Sequence, residues 1–441
     1  MIKRLLRAFY DDGINLPQPS CRPIMEKLPA EQAEAGSRLF AKGICVELKH
    51  LQPQLPHFHR LAKTLYLQSP VCLRFLIQPF TKIVWLLHVL KPEQWLITGK
   101  ELYSKKRLTL LYAGDSKNRY FLARQAFGDL FKEEYIGKKW LWAMIRTAQN
   151  HRHASRLVII EFPRILRWFL HQRRFFYLPS WVHGEVDLSL DTQALFSHKE
   201  YVRAVRIIRK NRLTHSESCD ADDLCTFYHS MYLPYISSVH GEGAFIERWE
   251  VIKSKFKHGL LLFIHKGEQR IVATLIELNK HKPHFLFAGV KDGDSSIVDD
   301  GGVEALYYMG YDVLRGKGYL RANLGPSRGF LKDGLLFYKK KRGLSLFGFS
   351  NMGFLIQARA KTESMKSFLI NNPFIYAVKK NLFGAVFLDV GQSLSEVQAY
   401  RLYGKYGIRG LSKLCFYRFT ESDGTLQELV PDHDWTNENL S

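Results

Sequence analysis

Residues 301–343 alternate helix and strand signals, and this order constrains the fold more than any other part of the chain. Apolar residues recur at helical spacing from Val303 to Leu314, and Gly316 and Gly318 end that helix before a short strand at 319–324. A second apolar helix follows a glycine-containing turn and runs into four consecutive cations at 339–342. This alternation of helix and strand predicts an α/β fold.

The preceding residues add strands to this pattern. Two apolar runs, 260–265 and 270–278, flank a Lys-Gly-Glu turn and predict a hairpin, and a third run covers 284–290. From about residue 213 the predicted order is strand, two helices, three strands, helix, strand, helix and a last strand at 344–349. This order predicts a mixed sheet flanked by helices.

The length of 441 residues predicts two or three domains rather than one core. We predict a helical N-terminal region at 1–95, a first α/β half at 96–195, a second α/β half at 196–350, and a segment at 351–441 that completes the sheets and ends in a polar tail. In the first half, 107–114 and 154–163 read as strands, and 122–135 reads as a helix. A basic helix near 198–213 connects the two halves.

The composition restricts compartment and partners. With 64 Lys and Arg against 42 Asp and Glu, the net charge is +22, which favours a polyanionic partner such as RNA or anionic lipid, or simple solubility. The six cysteines include no C-x-x-C pair and are typical of reduced thiols in a cytosolic protein. No ligand spacing matches a metal site, so no metal is predicted, and neither G-x-S-x-G nor a P-loop is present.

The N-terminus has no secretory signal, because its basic and apolar decamer runs directly into acidic and glycine residues. Apolar residues at 2, 5, 6 and 9 alternate with cations, which predicts either a helix on a membrane surface or a short terminal helix packed on the protein. The apolar region 71–90 contains several polar and charged residues, so we predict no transmembrane segment. The expected location is the cytoplasm, with peripheral contact at the inner face of the membrane as an alternative.

Three patterns in the second half resemble the double-GNAT acyltransferases related to the Fem-type aminoacyl transferases of bacterial cell-wall synthesis. The basic helix ending in RKNRL is similar to the helix that opens the second GNAT unit of that family. Residues 227–245 resemble its Phe-Tyr helix followed by His-Gly, here His240 and Gly241. Residues 333–343 resemble its Gly-Leu, aromatic, Lys, Gly ending, here Lys339 and Gly343. The resemblance implies tandem GNAT-like domains.

The resemblance also implies an acyl donor, acetyl-CoA or another acyl-CoA, between two parallel strands that splay apart near Val290 and Gly325. Gly301 and Gly302 either place a helix N-terminus at the donor pyrophosphate or only open that helix. Arg328, after the splayed strand, is either an anion contact or an exposed loop residue. The usual acyl-CoA motif is absent, and aspartates stand at 292, 294, 299 and 300.

Acyl transfer to an amine needs a neutral nucleophile, a stabilised oxyanion and a proton for the leaving group. Lys339 occupies the lysine position of the Fem-type pattern and is the candidate that stabilises the oxyanion, with a solvated basic face as the alternative. Tyr338 competes as the proton donor, although it lies one residue further from Gly343 than the GNAT tyrosine does. Asp333 is a base or a helix cap, and His240 is a base, a substrate contact or a structural residue.

The sequence therefore predicts a GNAT-type N-acyltransferase that moves an acyl group, acetyl first among them, from acyl-CoA to an amine of a small molecule or a cell-envelope component. One alternative is a Fem-like transferase that uses aminoacyl-tRNA on a cell-envelope precursor, which would also account for the basic charge. The other is a non-catalytic binding protein that keeps the GNAT fold.

Overall fold

The computed structural model describes residues 89–149, 156–169, 175–241, 246–279, 281–421 and 424–430, all of which belong to one compact unit. The amphipathic N-terminus, most of the 1–95 region and nearly all of the apolar region 71–90 lie outside these ranges. Within them, no helix is both long and apolar enough to cross a membrane.

The described residues form seventeen β-strands. The first six are β1 (Glu93–Lys100), β2 (Arg107–Ala113), β3 (Phe131–Lys138), β4 (Leu157–Pro163), β5 (Phe175–Pro179) and β6 (Val182–Asp187). The next six are β7 (Leu213–Ser218), β8 (Gly259–Lys266), β9 (Gln269–Glu277), β10 (His284–Val290), β11 (Arg321–Ser327) and β12 (Ser345–Phe349). The last five are β13 (Met352–Gln357), β14 (Phe374–Val378), β15 (Asn381–Leu388), β16 (Lys413–Phe419) and β17 (Leu426–Leu429).

Twelve α-helices lie wholly within the described ranges. The first six are α1 (Ser116–Phe127), α2 (Leu141–Gln149), α3 (Thr192–Leu195), α4 (His198–Lys210), α5 (Ala221–Thr226) and α6 (Leu233–His240). The other six are α7 (Trp249–Phe256), α8 (Ser295–Asp299), α9 (Gly302–Gly316), α10 (Gly334–Lys340), α11 (Glu363–Asn371) and α12 (Glu396–Tyr406). A π-helix, Phe227–Tyr232, joins α5 to α6.

The strands form three mixed sheets flanked by helices. The six-stranded sheet has the order β3-β1-β2-β4-β13-β5, the seven-stranded sheet β12-β6-β11-β10-β9-β8-β7, and the four-stranded sheet β14-β15-β16-β17. From β7 to β12 the elements follow the order predicted for the second half. The predicted fold class, α/β with mixed sheets flanked by helices, is confirmed.

Local sequence explains the elements near the centre. Strand β4 reads LVIIEFP and is buried along its whole length, as expected for an interior strand beside a parallel neighbour. Helix α9 buries Leu306, Tyr311 and Leu314 on one face and packs on β8 and β9. Helix α10 begins after Asp333, whose side chain accepts a hydrogen bond from the Leu336 amide at 2.8 Å.

The two larger sheets each contain a strand from another part of the sequence. Strand β6 lies between β11 and β12 in the seven-stranded sheet, antiparallel to both. Strand β13 lies between β4 and β5 in the six-stranded sheet, again antiparallel to both. The limit predicted at residue 195 divides the sequence but does not separate the sheets. Strand β6 precedes this limit and joins the sheet that the later strands form.

Parallel pairing differs among the three sheets. Strands β2 and β4 pair at four positions and β15 and β16 at six, whereas β10 and β11 pair only at His284 and Asn323. After this pair, the backbone of β11 turns through Gly325 at a φ of 76°, and its register with β6 shifts between Asn323 and Pro326. The two strands therefore separate near Gly325 and leave a gap, called here the β10–β11 gap.

Replacement of Gly353 by alanine tests the position of β13. A Cβ on Gly353 would lie 2.6 Å from the Tyr177 ring and 2.7 Å from the Leu178 carbonyl oxygen of β5. We expect Gly353→Ala to lower the free energy of unfolding by about 2 kcal/mol, measured by chemical denaturation. The control Gly348→Ala, in β12, has open space around its Cβ and should change stability little. Equal effects would contradict the close packing of β13.

Candidate functional site

Gly325 lies between two polar side chains in the β10–β11 gap. A Cβ added there would lie 3.0 Å from the Phe285 carbonyl oxygen, 3.8 Å from His284 Nε2 and 3.9 Å from Lys339 Nζ. The φ of 76° is one that other residues rarely adopt. The absence of a side chain at Gly325 therefore leaves the imidazole and the ammonium group close to the same point.

Lys339 is the buried cation of this gap. Its side chain is 3% exposed, and Nζ donates to the carbonyl oxygens of Gly325 at 3.2 Å and Pro326 at 3.0 Å and to Ser327 Oγ at 3.3 Å. Burial lowers the pKa of Lys339 to about 7, and the nearby Asp333 carboxylate opposes this shift. Three protein oxygens account for all three N–H groups of the ammonium, so Lys339 acts on its surroundings chiefly through its charge.

His284, at the start of β10, is a site residue that the sequence analysis missed. Its Nε2 is buried and has no hydrogen-bond partner. Burial above all, together with the nearby charges of Lys255, Lys339, His183 and Lys282, lowers the pKa of His284 to about 4. The imidazole is therefore neutral at pH 7. In the sequence it is only the first residue of an apolar run.

Tyr338, next to Lys339 in α10, contacts α9. Its ring lies 5.5 Å from the Tyr307 ring, and the Arg342 guanidinium lies 3.4 Å from its centroid. The Tyr338 hydroxyl is buried without a partner, and burial raises the pKa of Tyr338 well above its ordinary value. The hydroxyl therefore stays protonated and has a proton to donate.

The π-helix and β10 form a tightly packed wall beside the gap. A Cβ on Gly289 would lie 2.7 Å from backbone atoms of Met231 and Tyr232. The Tyr232 ring lies 5.5 Å from the Phe287 ring, and its hydroxyl accepts the Glu247 amide at 2.9 Å. This wall is thus fixed by backbone contact.

Structural contacts explain the residue types at three of the predicted positions, Asp333, Gly301 and Gly302. Asp333 caps α10, as one of its two interpretations predicted, and burial raises its pKa. A Cβ on Gly301 would lie 2.7 Å from Ile207, and one on Gly302 would lie 2.7 Å from the Val272 side chain. The two glycines allow the start of α9 to pack closely on neighbouring elements.

Arg328 is not an exposed loop residue, and that alternative is wrong. Its side chain is 6% exposed, and the guanidinium carbon lies 4.3 Å from the Phe121 ring centroid and 4.0 Å from that of Trp181. It donates to Asn118 Oδ1 at 2.9 Å, and Asn118 in turn donates to the buried carboxylate of Glu161. Burial lowers the pKa of Arg328 to about 10. Arg328 therefore links the loop before α10 to α1.

The cations that follow Lys339 do not form a solvated basic face, so that alternative is also wrong. Lys340 Nζ donates to two carbonyl oxygens near the end of α12, both at 3.0 Å, and burial lowers the pKa of Lys340 to about 8. Lys341 Nζ lies 2.7 Å from Glu200 Oε1. Arg342 is 1% exposed and lies 3.4 Å from Glu200 and 3.7 Å from Glu304.

His240 is the last residue of α6, and its side chain lies outside what the structure describes. Its predicted role stays a prediction. Across the described ranges, no group of three or more His, Cys, Asp or Glu side chains is arranged to hold a metal ion.

No protein-family model matches the sequence, and no curated protein matches it significantly. Solved structures do resemble it. FemX is 12% identical over 59% of this chain and 83% of its own, with a TM-score of 0.32. L-PGS from Bacillus licheniformis is 12% identical over 59% and 80%, with a TM-score of 0.30. A tandem GNAT protein from the clavulanic acid biosynthesis pathway is 10% identical over 58% and 79%, with a TM-score of 0.25.

The burial of Lys339 predicts a pH-dependent stability. Because its folded-state pKa of about 7 lies below the ordinary 10.5, the unfolded chain binds more protons between these values, and stability rises with pH across that window. From pH 7 to 9, wild-type unfolding free energy should rise by roughly 2 kcal/mol relative to Lys339→Met, measured by denaturant titration. The exposed control Lys257→Met should follow the wild type. Parallel curves for wild type and Lys339→Met would contradict the shift.

Arg328→Met tests the link between Arg328 and α1. The change leaves Asn118 Oδ1 without this donor and removes both ring contacts, so we expect a loss of about 3 kcal/mol of unfolding free energy. The control Arg321→Met, on the exposed part of β11, should cost less than about 1 kcal/mol. Normal stability together with weaker binding of acetyl-CoA would instead support the role of anion contact.

Proposed function

We propose that this protein is a GNAT-type N-acyltransferase whose acyl donor enters the β10–β11 gap. The observation that carries the proposal is the gap itself. Among the described parallel pairs, only β10 and β11 separate after a single paired position, and a buried cation lies beside the opening. A Cβ at Gly325 would lie 3.0 Å from the Phe285 carbonyl oxygen, so glycine there lets β11 pass close to β10 beside the opening.

In this reaction the acceptor amine, in its neutral form, attacks the acyl carbonyl carbon. A carbon–nitrogen bond forms, the carbonyl oxygen becomes an oxyanion, and the carbon–sulfur bond of the thioester then breaks. The ammonium form of Lys339, which is populated below its pKa of about 7, favours the oxyanion in a site of low dielectric constant. The thiolate leaves with the bonding electrons and takes up a proton, for which the Tyr338 hydroxyl is the candidate donor. The proton that the amine nitrogen loses then restores the Tyr338 hydroxyl.

The surroundings of α9 bear on the identity of the donor. Its N-terminus packs on Ile207 and Val272, and Asp292 and Asp294 lie just before α8, the short helix that precedes α9. These features weigh against a pyrophosphate at Gly301 and Gly302. Acetyl-CoA or another acyl-CoA remains the proposed donor. Its phosphates would then bind near the start of α9 in a way that differs from direct contact with Gly301 and Gly302.

One observation favours aminoacyl-tRNA as the alternative donor. Helix α4 and the residue before β7 present six exposed cations. The helix has no exposed acidic side chain, because its one acidic residue, Glu200, is buried. These cations are Lys199, Arg203, Arg206, Arg209, Lys210 and Arg212. Such a surface suits a phosphate backbone. With that donor, the acceptor would be a cell-envelope precursor at the inner face of the membrane, and with acyl-CoA it would be a small-molecule amine in the cytoplasm.

Thermal unfolding with acetyl-CoA, CoA and bulk tRNA, at low and high salt, tests the proposal. Acetyl-CoA at 100 times its dissociation constant should stabilise the protein by about 2.7 kcal/mol. The stabilisation should persist at high salt, because the donor is held in the gap. Stabilisation by tRNA alone, lost at high salt, would favour the aminoacyl alternative. No stabilisation by any of them would favour a non-catalytic binding protein.

A further inference from the structure

His284 Nε2 is the unpartnered polar atom of the β10–β11 gap. Seven buried side-chain nitrogen or oxygen atoms in the described ranges lack a hydrogen-bond partner. Of these, Nε2 of His284 lies 3.8 Å from the point where Gly325 lacks a Cβ. A buried polar group without a partner costs roughly 1–3 kcal/mol, so its retention calls for an explanation.

The neighbouring ammonium does not satisfy this atom. Lys339 Nζ directs its three N–H groups at Gly325, Pro326 and Ser327. A carbonyl oxygen that enters the gap therefore finds the charge of Lys339 but no free N–H on it. The unused hydrogen-bonding group at this point belongs to the imidazole.

The charges around the imidazole select its chemical role. Lys339, Lys255, Lys282 and His183 all disfavour protonation of His284. Lys255 is paired with Glu277 at 2.9 Å and Lys282 with Glu185 at 2.5 Å. These surroundings make the ring a poor proton acceptor, but a neutral imidazole still donates one N–H. A positive environment also favours a ligand atom that becomes negative.

We propose that His284 Nε2–H donates a hydrogen bond to the carbonyl oxygen of the acyl donor and stabilises the oxyanion formed from it. This inference rests on the proposed function and deepens it, because it assigns the oxyanion site to β10 as well as to Lys339. During the reaction the electron pair of the C=O bond moves to oxygen and returns when the C–S bond breaks. His284 neither gains nor loses a proton, since the thiolate takes its proton from the Tyr338 hydroxyl and the proton that the amine loses restores that hydroxyl.

Two replacements separate hydrogen-bond donation from proton acceptance. Glutamine at 284 keeps an N–H donor at the end of its side chain but is no base, whereas phenylalanine keeps the ring shape without a donor. The carbonyl stretch of [1-13C]acetyl-CoA, recorded by isotope-edited infrared difference spectroscopy, reports the hydrogen bond directly. We expect a shift to lower frequency on binding to wild type and to His284→Gln, and loss of this shift with His284→Phe.

Turnover gives the second readout. With acetyl-CoA and a panel of primary amines, His284→Phe should lower kcat by about 100- to 1,000-fold with little change in KM, as expected for loss of one oxyanion donor. His284→Gln should retain most of that rate, and the exposed control His258→Phe should behave as wild type. If the phenylalanine variant does not fold, His284→Leu replaces it in both measurements.

The outcomes distinguish this inference from the proposed function. Bound acetyl-CoA whose carbonyl frequency is the same in wild type and His284→Phe would overturn the role of His284 and leave the function standing. Equal loss of turnover in the glutamine and phenylalanine variants would also overturn it, because proton acceptance would then be the role. Failure of acetyl-CoA to bind the wild type would contradict the proposed donor itself.

Discussion

Strand β6 hydrogen-bonds to β11 on one side and to β12 on the other, and the site depends on this contact. The register between β6 and β11 shifts between Asn323 and Pro326, which is where β11 leaves β10. The segment that contains Gly325 is therefore hydrogen-bonded along one edge to β6, a strand from the first half of the chain. Along its other edge it no longer pairs with β10. Without β6, that edge of β11 would have no partner for its backbone groups.

A buried charge cluster fixes the other side of α10. Arg342 lies between Glu200 of α4 and Glu304 of α9, and it also donates to the Tyr338 carbonyl oxygen at 2.9 Å. Glu200 also pairs with Lys341, and Arg203 of α4 lies 3.5 Å from Glu304. Removing one member of such a cluster leaves a buried charge without compensation, so the cluster specifies the position of α10 strongly. Through α10 it also sets the direction of Lys339.

Sequence reasoning predicted the order of elements well and their pairing poorly. The strand–helix alternation from 213 to 349 follows from local patterns of apolar residues, turns and caps, and the D-G-L-L sequence at Asp333 gave the cap of α10. The position of β6 and β13 required knowledge of long-range pairing, which no local pattern carries. The helix expected at 122–135 was wrong beyond Phe127, because Gly128 ends α1 at a φ of 71° and 131–138 forms edge strand β3.

Only part of the candidate site was predicted, again because local patterns do not show which distant residues meet in space. Lys339 emerged from its position in a motif, but its burial was hidden within four consecutive cations that read as a solvated face. His284 gave no signal, because its importance arises from Gly325 and Lys339, which lie far from it in sequence and close to it in space. Arg328 likewise required the rings of Phe121 and Trp181 to be seen beside it.

The place of β13 between β4 and β5 in the six-stranded sheet also has a consequence for synthesis on the ribosome. Strands β4 and β5 emerge early, yet the strand that separates them ends at residue 357, after the whole of the seven-stranded sheet has been made. Until then the facing edges of β4 and β5 have unpaired backbone groups, and β4 is apolar except for Glu161. Nascent chains that end between Pro179 and Gln357 therefore expose an incomplete sheet, so the order of the elements prolongs the exposure of strand edges during synthesis.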